Sequence, residues 1–207
     1  LTICKRTKKV TMSDINDILK IRTNNLKPSK GRILISEPFL IDYYFKRSVV
    51  LLAEHNDEGS FGLIINKPVD MHLSDVLQDF PEFNAPIYLG GPVKTENLYF
   101  IHTKGKLIEE SMKILDGLYW GGDIEHVKEL ITIGKLTPED IKFFVGYSGW
   151  VAKQLDGELS KNSWLVSNIK AQQVMNFNSE KMWDDVIKKL GRDYAYWTNF
   201  PSDPALN

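Results

Sequence analysis

Four histidines, His55, His72, His102 and His126, and one cysteine, Cys4, are the side chains suited to ligating a metal or moving a proton near neutral pH. No two histidines have the H-x-x-x-H spacing of a helical zinc pair, and Cys4 stands alone in a basic stretch. Neither a metal centre nor a disulfide frame is therefore expected. His55 and His102 fall where strands end or cross, and beside Glu54 they could face each other as a hydrogen-bonded pair. Ser148 sits in Gly146-Tyr-Ser-Gly-Trp150, after an apolar run and before a helical pattern, which is the setting of a nucleophile elbow. That motif needs a glycine at position 150, where Trp150 stands, so a tight turn with a packed tryptophan is the competing reading. Gly90-Gly91-Pro92 could offer backbone N–H groups to an anion, but no Gly-Lys-Ser/Thr follows it, which excludes a nucleotide P-loop. Arg47, Asn66, Gln154 and Glu158 could complete a polar pocket. Alternatively Arg47 and Glu158 form a structural ion pair, and Asn66 satisfies a loop.

The elements that must position these groups are organised around Arg47 to Pro68. Val49 to Ala53 and Phe61 to Ile65 are apolar or β-branched almost throughout, as strands covered on both faces are. Between them, Asn56-Asp57-Glu58-Gly59 has the side chains and the glycine of a tight turn. Pro68 closes the second strand. Further strands are predicted over 32–36, 87–89, 97–103, 111–115, 118–120, 141–147 and 163–166. Helices are predicted over 73–80, over 124–131 behind an Asp123 cap, over 149–160, and behind a Ser179 cap with Met182, Trp183, Val186, Ile187 and Leu190 on one face. Ser13 is read as the cap of a short N-terminal helix. The tail, Tyr194 to Phe200, holds four aromatics and is predicted to dock on the body.

The 207 residues divide into a basic arm with a short helix, 1–30, and one globular domain, 31–207. Hydrophobic residues are 43% and charged residues 26%, the balance of an ordinary water-soluble chain. No apolar run reaches the ~20 residues of a membrane helix, and no apolar stretch of a secretory signal follows the basic start, so a cytoplasmic protein is expected. Met12 resembles a natural start. Residues 1–32 carry nine Lys or Arg against two Asp, a net +7 in a chain of net -1, which leaves -8 elsewhere. No aromatics interleave the basic residues and no helix-turn-helix pattern occurs, so direct nucleic-acid contact is not expected.

Many short pieces, in order, resemble the YqgE/AlgH family of mostly uncharacterised bacterial proteins. They are Gly31-Arg-Ile-Leu-Ile-Ser36, Arg47-Ser-Val-Val-Leu-Leu52, Glu54-His55, Gly62-Leu-Ile-Ile-Asn-Lys-Pro68, Gly90-Gly-Pro-Val93, His102, Gly146-Tyr-Ser-Gly-Trp150, Gln154-Leu155, Glu158 and the closing Pro201 to Asn207. The resemblance implies an α/β (α+β) fold with a small closed or bifurcated mixed sheet surrounded by helices. It also brings a family label of transcriptional regulator, and no agreed catalytic residues. The family usually has a small residue at the place of Ser148 and a Gly-Pro pair near Ala152-Lys153. A loop that is rigid in relatives is therefore expected to continue as helix here.

The leading functional expectation is a non-catalytic regulatory or binding module. It would take an unknown protein or small-molecule ligand, without a cofactor, in a cleft lined by Glu54, His55, Asn66, Gly90, Gly91 and Gly146 to Trp150, Tyr147 and Ser148 included. The alternative is a hydrolase or transferase using His55 or His102 as base, with Ser148 as a possible nucleophile.

Overall fold

Asn56 and Gly59 pair across a two-residue loop, and Asn56 Oδ1 accepts the backbone N–H of Glu58 at 2.9 Å. This turn joins β2 (Val49–Asn56) to β3 (Gly59–Ile64), the hairpin expected from the apolar runs on either side. A computed structural model describes residues 24, 26–71, 73–77 and 79–200; the Ser13 helix, His72 and the closing 201–207 lie outside them. Val49 to Leu52 are fully buried. A bulge between Leu52 and Glu54 then sets Glu54 opposite Phe61 and His55 opposite Ser60.

Among the described residues, ten strands form one mixed sheet. Besides the hairpin they are β1 (Arg32–Ser36), β4 (Pro68–Val69), β5 (Ile87–Leu89), β6 (Val93–His102), β7 (Met112–Leu115), β8 (Leu118–Trp120), β9 (Ile141–Val151) and β10 (Trp164–Asn168). The order along the sheet is β10-β1-β2-β3-β9-β6-β8-β7. The sheet branches at β9. One border of that strand takes β5 in parallel along Phe143 to Val145, then β3 antiparallel along Ser148 to Val151. Its other border takes β6. Of the two sheet forms expected, the bifurcated one is present. The sheet is not closed, because β10 and β7 are the ends of the path and do not pair with each other.

The branch depends on two glycines. A Cβ on Gly90 would lie 2.2 Å from Gly146 O, and one on Gly91 would lie 2.4 Å from the Tyr147 carbonyl. Only bare backbone fits so close. Gly90 N–H donates to Val145 O at 2.9 Å and Gly90 O accepts from Ile64 N at 2.8 Å, so the pair is occupied in holding strands together.

Helices lie against the sheet: α1 (Leu73–Val76), α2 (Ile124–Thr132), α3 (Gln154–Ser160), α4 (Ala171–Asn176), α5 (Met182–Lys189) and α6 (Arg192–Ala195). Asp123 caps α2 as expected, accepting from Glu125 N at 3.0 Å. The helix expected over 73–80 is a single turn, although Leu73, Val76, Leu77 and Phe80 still pack in one cluster. Ser179 does not cap α5; Lys181 stands there, and the Ser179 hydroxyl reaches Tyr88 OH at 3.4 Å. The helix expected over 149–160 is corrected most. Gly149 to Val151 remain strand, because β3 pairs with them; Lys153 turns the chain at φ 62°, and α3 begins only at Gln154. The four-residue spacing of Val151, Leu155 and Leu159 is thus split between structures, with Val151 exposed and Leu155 buried.

The tail docks as expected. Trp197 is 2% exposed and Tyr194 packs edge-on against it at 5.6 Å.

Candidate functional site

Strand alternation gives the turn end of the hairpin two different faces. Glu54 and Phe61 point to one side, with Tyr147 and Gly149 of β9 beside them; His55, Ser60 and Trp150 point to the other. On the first face lies a cleft of about 480 Å³ lined by Glu54, Glu58, Phe61, Val93, Tyr147 and Gly149. Trp150 borders it too, although its ring packs on the opposite face against Trp164 at 6.0 Å.

The cleft runs into a group of half-buried aromatics. Phe61 meets Trp120 at 5.0 Å and Tyr147 at 6.1 Å, while Tyr99 stacks on Trp120 at 5.4 Å and meets Tyr147 at 5.7 Å. Four neighbouring strands each contribute one ring. Two carboxylates stand at the rim. Glu54 pairs with Lys30 at 3.0 Å; that hydrogen bond holds its carboxyl below the usual range, against a smaller opposing effect of burial.

The other expected site residues are spread over the molecule. His55 Nδ1 lies 2.7 Å from Ser60 Oγ, on the face away from the aromatics. His102 pairs with Ile141, at the far end of β9 from Trp150, the partner of Ser60. Nine residues of strand separate those positions, about 30 Å at ~3.3 Å each, so the two histidines do not face each other. His102 is fully buried, bonds Gly121 O through Nε2 at 3.1 Å and lies parallel to the Tyr119 ring at 5.8 Å.

Ser148 is fully buried and donates to Gly90 O at 3.0 Å, so it braces the branch rather than opening on a cavity. Asn66 is also a brace: its Oδ1 accepts from Val49 N at 2.8 Å and its Nδ2 donates to Arg47 O at 2.9 Å.

Arg47 and Glu158 do not pair. Arg47 reaches the tail, donating to Phe200 O, covering the Trp183 ring at 4.8 Å and approaching Asp184 at 3.9 Å. Glu158 accepts from the indoles of Trp150 and Trp164 at 2.9 and 2.7 Å, and from Gln154 Nε2 at 3.0 Å. Gln154 also accepts the Val151 N–H at 3.1 Å, tying the turn to α3. Of the cleft residues expected from sequence, Glu54, Tyr147, Gly149 and Trp150 line it; Gly90, Gly91, Gly146 and Ser148 belong to the packed branch, Asn66 holds Arg47 and Val49, and His55 lies on the other face.

Sequence reasoning missed Phe61 and Glu58 as cleft residues and Ser60 as the partner of His55. A signal existed for Ser60. A two-residue loop at Asp57-Glu58 sets position 55 opposite position 60 by counting alone. Among the described residues no three His, Cys, Asp or Glu gather as metal ligands, and no helix is long and apolar enough to cross a membrane.

Comparisons with known proteins agree with this architecture. The family model described as DUF179, AlgH-like, matches residues 33–195. A UPF0301 protein of Parabacteroides distasonis is 45% identical over 198 residues, covering 95% of this chain and all of the relative. One from Bacteroides thetaiotaomicron is 45% identical over 193 residues, covering 93% of this chain and 98% of its own. Among solved structures, the AlgH protein of Pseudomonas aeruginosa aligns with a TM-score of 0.67 at 30% identity, covering 85% of this chain and 98% of that one. Protein DIP2367 of Corynebacterium diphtheriae has the same fold, with a TM-score of 0.69 at 20% identity over 84% of this chain and 94% of that one. The motif order, the branched sheet and these matches lead to one statement of kinship: the chain belongs to the AlgH-like family.

Proposed function

We propose that this protein is a cytoplasmic regulatory or binding module that holds a cationic segment of a partner protein, or a small cationic ligand, in the cleft on the aromatic face of the hairpin. One observation carries the reading: a cleft of about 480 Å³ joins Phe61 and Tyr147 to the carboxylates of Glu54 and Glu58. Aromatic faces attract a cation through the ring quadrupole, and carboxylates at the rim steer it there. Among the described residues no ion pair involves Glu58, which leaves its charge for an incoming group. Direct nucleic-acid contact is no part of this reading, since residues 33–207 carry the acidic balance of the chain.

Titration of the full chain with Lys/Arg-rich peptides and with charge-reversed peptides, followed by tryptophan fluorescence and calorimetry, tests it. Binding of the basic peptides alone is expected. Phe61→Ala or Tyr147→Ala should weaken it about 5–30-fold, the equivalent of about 1–2 kcal/mol of cation–π attraction. Equal binding of acidic peptides, or binding unaffected by both substitutions, overturns the reading.

A further inference from the structure

The face of the hairpin away from the aromatics carries a second cavity, of about 410 Å³, which meets the first cleft at Asn56, Gly59, Ser60 and Val151. Its wall includes His55, Ser60, Lys153 and Asp156, with Val151 and Leu155 as the apolar part. Ser60 on β3 lies directly opposite His55 on β2, and its hydroxyl is 2.7 Å from His55 Nδ1. With the imidazole proton on Nε2, Nδ1 accepts from that hydroxyl, the contact through which a base activates a serine. Both side chains are half-buried, so both are open to the cavity.

His55 and Asp156 also border a neighbouring cavity of about 440 Å³ beside Leu26 and Trp164. They are the two residues common to both spaces. Asp156 makes no ion pair with His55 and would bear on a protonated imidazole only through its charge across the shared walls.

We propose that Ser60 and His55 form a nucleophile–base pair that takes an acyl group from a small, neutral, activated ester. The substrate class follows from the wall. The Ser60 backbone is enclosed between β2 and β9, so it is not arranged as a backbone oxyanion hole. Lys153 is the only lysine or arginine among the described lining residues, and it shares the wall with Asp57 and Asp156. That balance disfavours an anionic substrate, and the weak oxyanion support disfavours an amide.

The step balances within the pair. Ser60 Oγ bonds to the acyl carbon while its proton passes to His55 Nδ1. The carbon–alkoxy bond then breaks, and the leaving oxygen takes that proton. Water attacks the acyl carbon next and gives its proton to His55, and Ser60 Oγ leaves and regains a proton. The products are an alcohol and a carboxylic acid.

The test is incubation of the full chain with p-nitrophenyl acetate, reading nitrophenolate release and locating the acetyl group by peptide mass spectrometry. The expected result is one acetyl on Ser60, with release reduced about 100-fold or more in Ser60→Ala and His55→Gln and by less in Asp156→Asn. Thermal melts check that each variant folds. Should Ser60→Ala fail to fold, the site of the label in the unaltered chain and the His55→Gln rate decide. An acetyl group only on lysines, or release undiminished in His55→Gln, overturns the proposal. Because the probe carries no cation, the outcome is independent of whether basic peptides bind the opposite face.

Discussion

The carboxylate of Glu158 accepts the indole N–H of Trp164 at 2.7 Å, and the same oxygen accepts the Trp150 indole at 2.9 Å. Helix α3 is thereby fastened to β9 and β10 through two buried rings. Glu158→Ala leaves two indole donors without their charged acceptor and is expected to cost about 2–4 kcal/mol, whereas Glu158→Gln costs about 1–2 kcal/mol. Urea denaturation followed by tryptophan fluorescence measures both, and equal losses would mean that the charge contributes nothing.

Arg47 fastens the tail by donating to Phe200 O, and is itself held by the Trp183 ring and Asp184 of α5. Arg47→Ala is expected to cost about 1–3 kcal/mol and to open the tail locally before the rest of the chain. Chymotrypsin should then cleave between Tyr194 and Phe200 well before it digests the body. Arg47→Lys should restore little, since an ammonium lacks the planar fork that spans carbonyl and carboxylate.

His102 supplies a pH dependence. Burial holds its imidazole below the ordinary range, and the hydrogen bond to Gly121 O opposes that only in part. The unfolded chain therefore takes up a proton near pH ~6.5 that the folded chain resists. The stability from this residue is complete above about pH 6.5 and is lost as pH falls toward the depressed folded value. Urea midpoints between pH 8 and pH 5 should fall less steeply in His102→Leu than in the unaltered protein.

Gly90→Ala should be among the costliest single methyl additions. Its Cβ would stand 2.2 Å from Gly146 O and 2.8 Å from a Leu63 methyl, with backbone on the closer side. A loss of about 3 kcal/mol is expected from overpacking. Gly157→Ala, where nothing lies within 4 Å of the added carbon, is the matched control and should be neutral or stabilising.

The central hairpin was legible because its signals are local: two apolar runs and a turn whose Asn and Gly act within four residues. The docking of the aromatic tail was legible from composition for the same reason. Partners distant in sequence were not. Arg47 and Phe200 are 153 residues apart, and no periodicity links them. The segment from Gly149 was misread because a four-residue apolar spacing suits a helix, while the force that decides its conformation is pairing with β3, which lies far earlier in the chain. The glycine motifs gave the position of the strand branch but suggested a ligand rim. What they provide is room for bare backbone, a need that a sequence shows only as glycine.

Strand β9 begins at residue 141, yet β3, β5 and β6 all lean on it. A chain emerging from the ribosome must therefore carry three unsatisfied borders until β9 follows. Truncations ending before Ile141 should clump through those borders, whereas ones that reach Val151 supply the missing partner.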